Sequence, residues 1–246
     1  MLQGEFFQNP GGASGFYDYQ IEQSLRIGSG DTLRRTPSSD GNRTVWTFSA
    51  WIKRATLDDA GGQYQILESG ASGNQDTRLF YNFKDGGTIQ ASSGNTNYGA
   101  SSERFEDVTG WMHLVLKHTG GVTTAYHNGT SFHTWSISGN TAINKSGLAH
   151  GIACRGGSGS GAELQGYIAE VHLTDGTAYE PTQFAEEKNG VWIPKDPSGT
   201  SYGTNGVHLK FEDASDLGND SSGNNNDYTS NMGADHQVVD SPTFGS

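Results

Sequence analysis

Apolar and polar side chains alternate with a period of two over most of the chain after residue 24. In residues 46–53 the even-numbered side chains are apolar, whereas the opposite face is polar except for Trp51. An alternating pattern of this kind predicts a β-strand with one buried face, because successive side chains of a strand point to opposite sides. The position of Trp51 on the polar face is the exception to the pattern.

The same pattern predicts further strands, which are separated by glycine-rich turns. Gly120-Gly121 and Asn128-Gly129 are hairpin signals, because both turns need residues that accept a positive φ. Short strands that recur about every ten residues are typical of a sandwich or a barrel. The predicted segments are 65–67, 78–83, 111–118, 122–127, 131–137, 147–154, 164–173 and 207–211.

A single helix is predicted over residues 181–188, since Pro181 suits a first helical turn and Gly190 suits a helix end. Neither an internal repeat nor a second core pattern is visible, so we expect one domain with two extensions. These parts are an N-terminal arm at 1–23, a sandwich at 24–211 and an Asx-rich C-terminal loop and tail at 212–246.

The predicted arm combines turn-forming residues with aromatic side chains, which a purely solvated tail would lack. We therefore expect it to dock, either on its own domain or on a neighbouring subunit. The candidate docking residues are Phe6, Phe7, Phe16, Tyr17 and Tyr19.

Composition and charge narrow the range of partners. The chain of 246 residues has 36 glycines and 11% aromatic residues, which suits short strands and tight turns better than a helical bundle. Its net charge of −12 argues against nucleic acid and anionic membranes as partners. We expect neither a membrane span nor a signal peptide. The single cysteine, Cys154, cannot form an internal disulfide, which favours synthesis in a reducing cytosol.

Three segments together carry a family resemblance: residues 46–53, residues 110–116 with 125–129, and residues 164–171. In this order and spacing they resemble the concanavalin A-like jelly roll of the laminin-G and pentraxin type, the fold of many lectins and glucanases. The resemblance implies an all-β, two-sheet antiparallel jelly-roll sandwich, with one concave sheet.

A second set of segments resembles the laminin-G-like module of virion structural proteins from tailed phages, especially phages of marine bacteria and cyanobacteria. This resemblance implies a homo-oligomeric protein at the virion surface, made in the host bacterial cytoplasm, with capsid or tail proteins as partners. The short chain favours a capsid decoration or appendage protein, and the alternative is a tail-fibre or tail-associated adhesin that binds host surface polysaccharide. The segments are 24–26, 35–43, 191–195, 202–206, 209–211 and 220–227.

Catalytic patterns are weak, so we expect no enzyme, and a glycoside hydrolase is only a distant alternative. The resemblance to glucanases leads one to expect Glu, Asp and Glu alternating on a single strand, and residues 103–107 do not have that spacing. Glu170 stands alone on its strand and is predicted to form half of an ion pair or to lie at a sheet edge, and the alternative is an acid in the cleft. The eight histidines are scattered without zinc-motif spacing, and Cys154 is predicted to be a core residue.

Two candidate sites remain. The C-terminal segment is rich in oxygen ligands that suit calcium, although their order differs from an EF-hand and the same side chains could instead cap their own backbone. The candidate calcium ligands are Glu212, Asp213, Asp216, Asp220, Asn224 and Asp227. A sugar site needs an aromatic platform beside amide groups, and the alternative role for such aromatics is core packing. The candidate sugar-binding residues are Trp135, Tyr98, Tyr126, Asn97 and Asn128, with Asn97 and Tyr98 expected in an exposed loop over 91–102.

Overall fold

Strands form where the alternating pattern predicts them. The structure is a computed structural model that describes residues 15–57, 62–70, 79–84, 86–93, 96–157 and 161–243. In this part of the chain the strands are β1 (Ser24–Ile27), β2 (Leu33–Arg35), β3 (Trp46–Arg54), β4 (Tyr64–Ser69), β5 (Leu79–Lys84), β6 (Thr88–Ser93), β7 (Thr96–Ala100), β8 (Met112–Thr119), β9 (Val122–His127), β10 (Thr130–Ser136), β11 (His150–Ile152), β12 (Gly166–Asp175), β13 (Ala185–Lys188), β14 (Val191–Pro194), β15 (Val207–Leu209), β16 (Thr229–Ser230) and β17 (Gln237–Val238).

The strands build two antiparallel sheets, which confirms the predicted all-β sandwich. Sheet A has the order β10-β9-β8-β3-β12-β1-β17, with β15 also paired to β12. Sheet B has the order β16-β2-β11-β4-β5-β6-β7, and β13 and β14 form a separate hairpin. Short 3₁₀ turns occupy Pro181–Gln183 and Ala234–His236. Among the described residues, no helix has the length and apolar character needed to cross a membrane.

The core lies between the inner faces of the two sheets. Sheet A contributes the even-numbered residues of β3, including Trp46 and Phe48, and sheet B contributes Tyr81 and Phe83 from β5. The Trp46 ring stacks on His118 and meets Tyr81 edge to face, with ring centroids 5.0 and 6.2 Å apart. Burial of each large apolar side chain stabilises the fold by roughly 1.5–3 kcal/mol.

The helix predicted over residues 181–188 is wrong. The chain instead makes the 3₁₀ turn and then the β13–β14 hairpin, whose turn residues Asn189 and Gly190 have φ values of 54° and 80°. Two consecutive left-handed residues form the tight turn that a hairpin prefers. The hairpin lies over the outer face of sheet A, where Ala185 and Trp192 pack with Trp51. Burial under this hairpin explains why the apolar Trp51 lies on the otherwise polar face of β3.

The C-terminal segment is not a tail outside the sandwich, so the predicted boundary at residue 211 needs correction. Its β16 pairs with β2 in sheet B, and its β17 pairs with β1 in sheet A. Leu217 and Tyr228 from the same segment are buried in the core. The segment therefore belongs to the sandwich, because it adds an edge strand to each sheet and apolar side chains to the core.

Candidate functional site

Three amide side chains form a row across sheet B. Gln65 on β4 is directly opposite Asn82 on β5, and Asn82 is directly opposite Gln90 on β6. Their chain neighbours Tyr81 and Phe83 point into the core, so the amides lie on the outer face of the sheet. The register of three adjacent strands therefore sets the row.

The amides of this row are buried and incompletely paired. Gln65 is 0% exposed, and neither its Oε1 nor its Nε2 has a hydrogen-bond partner. The Oδ1 atom of Asn82 and the Oε1 atom of Gln90 are also unpaired, although the Asn82 amide nitrogen donates to the Phe83 carbonyl at 3.0 Å. A buried polar group without a partner costs about 1–3 kcal/mol, which is unusual for a face with only a structural role.

The outer face of sheet B becomes more exposed towards its β7 edge. Beside the amide row, Ser92 on β6 is paired with Asn97 on β7, and Asn97 is exposed. Phe80 on β5 is paired with Ser92 and adds an apolar ring to the same face. We call this surface the amide face, and its members are Gln65, Glu68, Phe80, Asn82, Gln90, Ser92 and Asn97.

The predicted sugar-binding residues are not gathered at one place. Trp135 is 1% exposed and its indole N–H donates to the Gly99 carbonyl at 3.1 Å, so Trp135 is a core residue. Tyr98 packs against the core, and both Tyr98 and Asn97 belong to β7 rather than to a loop. Hydrogen bonding between β6 and β7 turns that run into an edge hairpin.

The other two sugar-binding candidates lie near the β9–β10 turn. Tyr126 lies on the outer face of sheet A, with the Lys117 ammonium 5.6 Å from its ring centroid. Asn128 has a φ of 46°, and its side-chain oxygen accepts the backbone N–H of His113 at 2.8 Å. Of the five candidates, only Asn97 belongs to the amide face.

The Asx-rich segment is held largely by its own side chains. Asp220 accepts backbone N–H groups of His208, Ser222 and Asn226, each at 2.9 Å. Asp227 in turn accepts the N–H of Asp220 at 2.9 Å. These contacts are those of the backbone-capping alternative.

The remaining calcium candidates divide into two places. Glu212, Asp213 and Asp216 line a surface cleft of about 280 Å³ that also contains Lys210. Asn224 donates to the carbonyls of Gly203 and Gly206 at 2.8 and 3.0 Å. Calcium binding by this segment stays a prediction.

The described part of the N-terminal arm docks on its own domain. Lys188 on the β13–β14 hairpin binds the Asp18 carboxylate at 2.8 Å and lies 5.8 Å from the Phe16 ring centroid. Phe16 and Tyr17 meet edge to face with ring centroids 5.2 Å apart. The Tyr19 hydroxyl donates to Oε1 of Glu170 at 2.7 Å. The candidates Phe6 and Phe7 lie outside the described residues.

Glu170 also belongs to a buried cluster with two histidines. His172 and His208 are directly opposite each other on β12 and β15, and their rings are 4.3 Å apart. Oε1 of Glu170 is 2.5 Å from Nε2 of His208 and 3.9 Å from Nε2 of His172. Burial, followed by the neighbouring His208, lowers the pKa of His172 well below its usual value.

The sequence pattern does not indicate this cluster, because the cluster depends on two features of the folded structure. The pairing of β12 with β15 joins residues that are distant in sequence, and Glu170 adopts a φ of 48° beside a bulge in β12. The only local signal is the i, i+2 spacing of Glu170 and His172, which places both side chains on one face of a strand.

A serine–histidine contact on the outer face of sheet A does not form a nucleophile. Nε2 of His113 is 2.8 Å from the Ser49 hydroxyl. The Trp192 indole donates to Nδ1 of the same ring at 3.0 Å. Because Nδ1 accepts, the proton resides on Nε2, and His113 therefore donates to Ser49 instead of removing its proton. Burial also lowers the pKa of His113 to about 3.

The fold and these sites can now be compared with known proteins. A family model described as the concanavalin A-like lectin/glucanases superfamily matches residues 28–183. The chain belongs to this family. A search of curated protein sequences finds no match.

Solved structures with a similar fold support this assignment. A putative carbohydrate binding protein from Bacteroides ovatus has a TM-score of 0.59 at 15% identity, with 87% of this chain and 59% of that chain covered. The CBM40 of a Ruminococcus gnavus IT-sialidase has a TM-score of 0.51 at 14% identity, with 67% and 96% covered.

A more distant similarity is to the enzymatically active domain of tailspike protein 2 from bacteriophage CBA120. Its TM-score is 0.47 at 14% identity, with 65% of this chain and 26% of that chain covered. At their identities the Bacteroides ovatus and Ruminococcus gnavus structures show a shared fold alone. This chain spans only 59% of the Bacteroides ovatus protein, so the activity of that whole protein does not transfer.

Proposed function

We propose that the protein is a non-enzymatic carbohydrate-binding protein and that its amide face holds a neutral saccharide. The observation that carries the proposal is the row of Gln65, Asn82 and Gln90, whose buried amides have unpaired atoms. Because these side chains are 0–4% exposed, a saccharide would reach them from the exposed Asn97 at the β7 edge, and only after the groups that cover the row move. A carboxamide can donate and accept at once, which matches the paired donor and acceptor character of a sugar hydroxyl.

Charge favours a neutral ligand over an acidic one. The amides in the row carry no charge, the charged residue beside them on this face is the acidic Glu68, and the chain as a whole carries a net charge of −12. A negative protein repels polyanions at a distance, and close recognition of a carboxylate normally uses arginine. The proposed ligand is therefore a saccharide with free hydroxyls and without carboxylate or sulfate groups.

The proposal is tested with an array that holds neutral and acidic glycans, followed by calorimetry on the best ligand. We expect binding to neutral glycans, and we expect Asn82→Ala and Gln90→Ala each to weaken it about tenfold, which corresponds to one lost buried hydrogen bond of about 1.4 kcal/mol. Tyr126→Ala is the matched control, because Tyr126 lies on the other sheet. Unchanged affinity in the folded Asn82 and Gln90 variants, or binding to acidic glycans only, would refute the proposal.

We also propose that the protein works at the surface of a phage particle, as a capsid decoration or appendage protein made in the bacterial cytoplasm. The support is the resemblance of segments such as 35–43 and 220–227 to virion modules. These segments lie together in the structure, where Arg35 contacts the Asn226 side chain. The alternative is a tail-associated adhesin, which would use the same amide face on host polysaccharide.

Cryo-electron microscopy of the intact particle separates these two placements. We expect density for the sandwich on the head, repeated with the symmetry of the capsid, as a homo-oligomer or as single copies around a symmetry axis. Density confined to the tail tip would instead support the adhesin. Absence of the protein from purified particles, checked by mass spectrometry of their components, would refute both placements.

A further inference from the structure

The cluster of Glu170, His172 and His208 offers the donor set of a transition-metal site. One carboxylate oxygen and two imidazole nitrogens lie within 4.8 Å of one another, and all three residues are buried. Carboxylate and neutral imidazole are common ligands of Zn²⁺, and three protein ligands with one further position form a frequent zinc geometry. We propose that these three residues bind one Zn²⁺ ion.

Strand geometry explains why the three donors can converge. Glu170 and His172 are two residues apart on β12, and His208 faces His172 across the β12–β15 ladder. Donors on adjacent strands at these positions share one face at side-chain reach. In a tetrahedral site with bonds of about 2.0–2.1 Å, ligand atoms are about 3.4 Å apart. The observed separations of 2.5 and 3.9 Å from Glu170 bracket that value.

A contact beside the cluster orients one of its imidazoles. Nδ1 of His172 is 2.9 Å from the Tyr202 hydroxyl, which leaves Nε2 on the side of Glu170. A hydrogen bond to the distal nitrogen is the usual way in which a metal-binding imidazole is oriented. Binding requires the two stacked rings, which are 27° from parallel, to turn until both Nε2 lone pairs converge.

The N-terminal arm holds the carboxylate of the cluster in place. The Tyr19 hydroxyl is 2.7 Å from Oε1 of Glu170, and the arm is held there by further contacts of Ile21 with Thr243. A bound ion would therefore be linked to the arm through Glu170, whose carboxylate accepts the Tyr19 hydroxyl. The site lies on the sheet opposite the amide face, so zinc binding and glycan binding are separable.

The test is a titration of the full chain with zinc chloride near pH 7, followed by calorimetry and by thermal unfolding. We expect one Zn²⁺ per chain, a higher Tm and reversal by a chelator. His172→Gln and His208→Gln should each abolish tight binding, and Tyr19→Phe should weaken it about tenfold, the effect of an oriented partner of a ligand. His236→Gln is the matched control, because His236 forms an Asp–His cluster with Asp31 and Asp235 at 3.3 Å outside the proposed site.

A second measurement, on the wild-type chain, tests the proposal even if the histidine variants fail to fold. In the wild-type chain loaded with Co²⁺ or Zn²⁺, nuclear magnetic resonance should show changes at the imidazole nitrogens of His172 and His208. The proposal is overturned if wild-type protein binds no Zn²⁺, if folded His172→Gln binds as tightly as wild type, or if the imidazole that responds is His236.

Discussion

The indole of Trp135 fills the end of the core where β10 and β7 meet. Its ring meets Tyr81 edge to face with centroids 5.5 Å apart, and its N–H bonds to the Gly99 carbonyl on β7. The side chain thus joins the edge strand of one sheet to the edge strand of the other. Its contribution is to stability, because the ring packs in the core between the two sheets.

We predict that Trp135→Ala lowers the free energy of unfolding by about 3–5 kcal/mol, the usual cost of removing a buried tryptophan. Urea denaturation measures this loss. Tyr126→Ala provides the comparison, because Tyr126 is partly exposed and its cation–π contact with Lys117 contributes only about 0.5–1 kcal/mol. Equal stability losses in the two variants would contradict the assignment of Trp135 to the core.

At the scale of elements, the β13–β14 hairpin forms where local helix signals predicted a helix over residues 181–188. Pro181 does begin a turn of 3₁₀ helix at Pro181–Gln183, whereas the acidic Glu186 and Glu187 lie in β13. The chain then becomes a strand, since Ala185–Lys188 can pair with Val191–Pro194 and cover Trp51. Pairing and burial outweigh helix propensity here, because propensity contributes only tenths of a kcal/mol per residue.

Strands with a clear period of two were predictable, whereas the candidate sites depended on strand pairing. The alternation in residues 46–53 and the Asn128-Gly129 turn both appear in the structure, as β3 and the β9–β10 hairpin. The amide row needs the register of β4, β5 and β6, and the metal cluster needs the pairing of β12 with β15. The pairing of β12 with β15 is a non-local contact, and the register of β4 with β5 includes a bulge between Gln65 and Leu67; the alternating pattern predicts neither.

For the whole molecule, the two ends of the described chain are joined in one sheet. Ser24 on β1 is opposite Val238 on β17, and the Ser24 hydroxyl donates to the Asp240 carbonyl. The Asp240 carboxylate accepts the Lys53 ammonium at 2.8 Å and the Trp111 indole N–H at 3.1 Å. The C-terminal segment therefore ties β1, β3 and the start of β8 together.

Removal of residues 229–246 should consequently destabilise the sandwich. It deletes β16 and β17 and several side-chain hydrogen bonds worth about 0.5–1.5 kcal/mol each, so we expect a loss of about 3–5 kcal/mol in urea unfolding. Hydrogen exchange should show faster exchange at β1 and β2, whose edges lose their partners, than at β4 and β5. Asp235→Ser in the full chain is the control, since the Asp235 side chain is 76% exposed and its loss should leave the unfolding midpoint almost unchanged. A truncated chain as stable as the full chain would show that β16 and β17 contribute little to the free energy of unfolding.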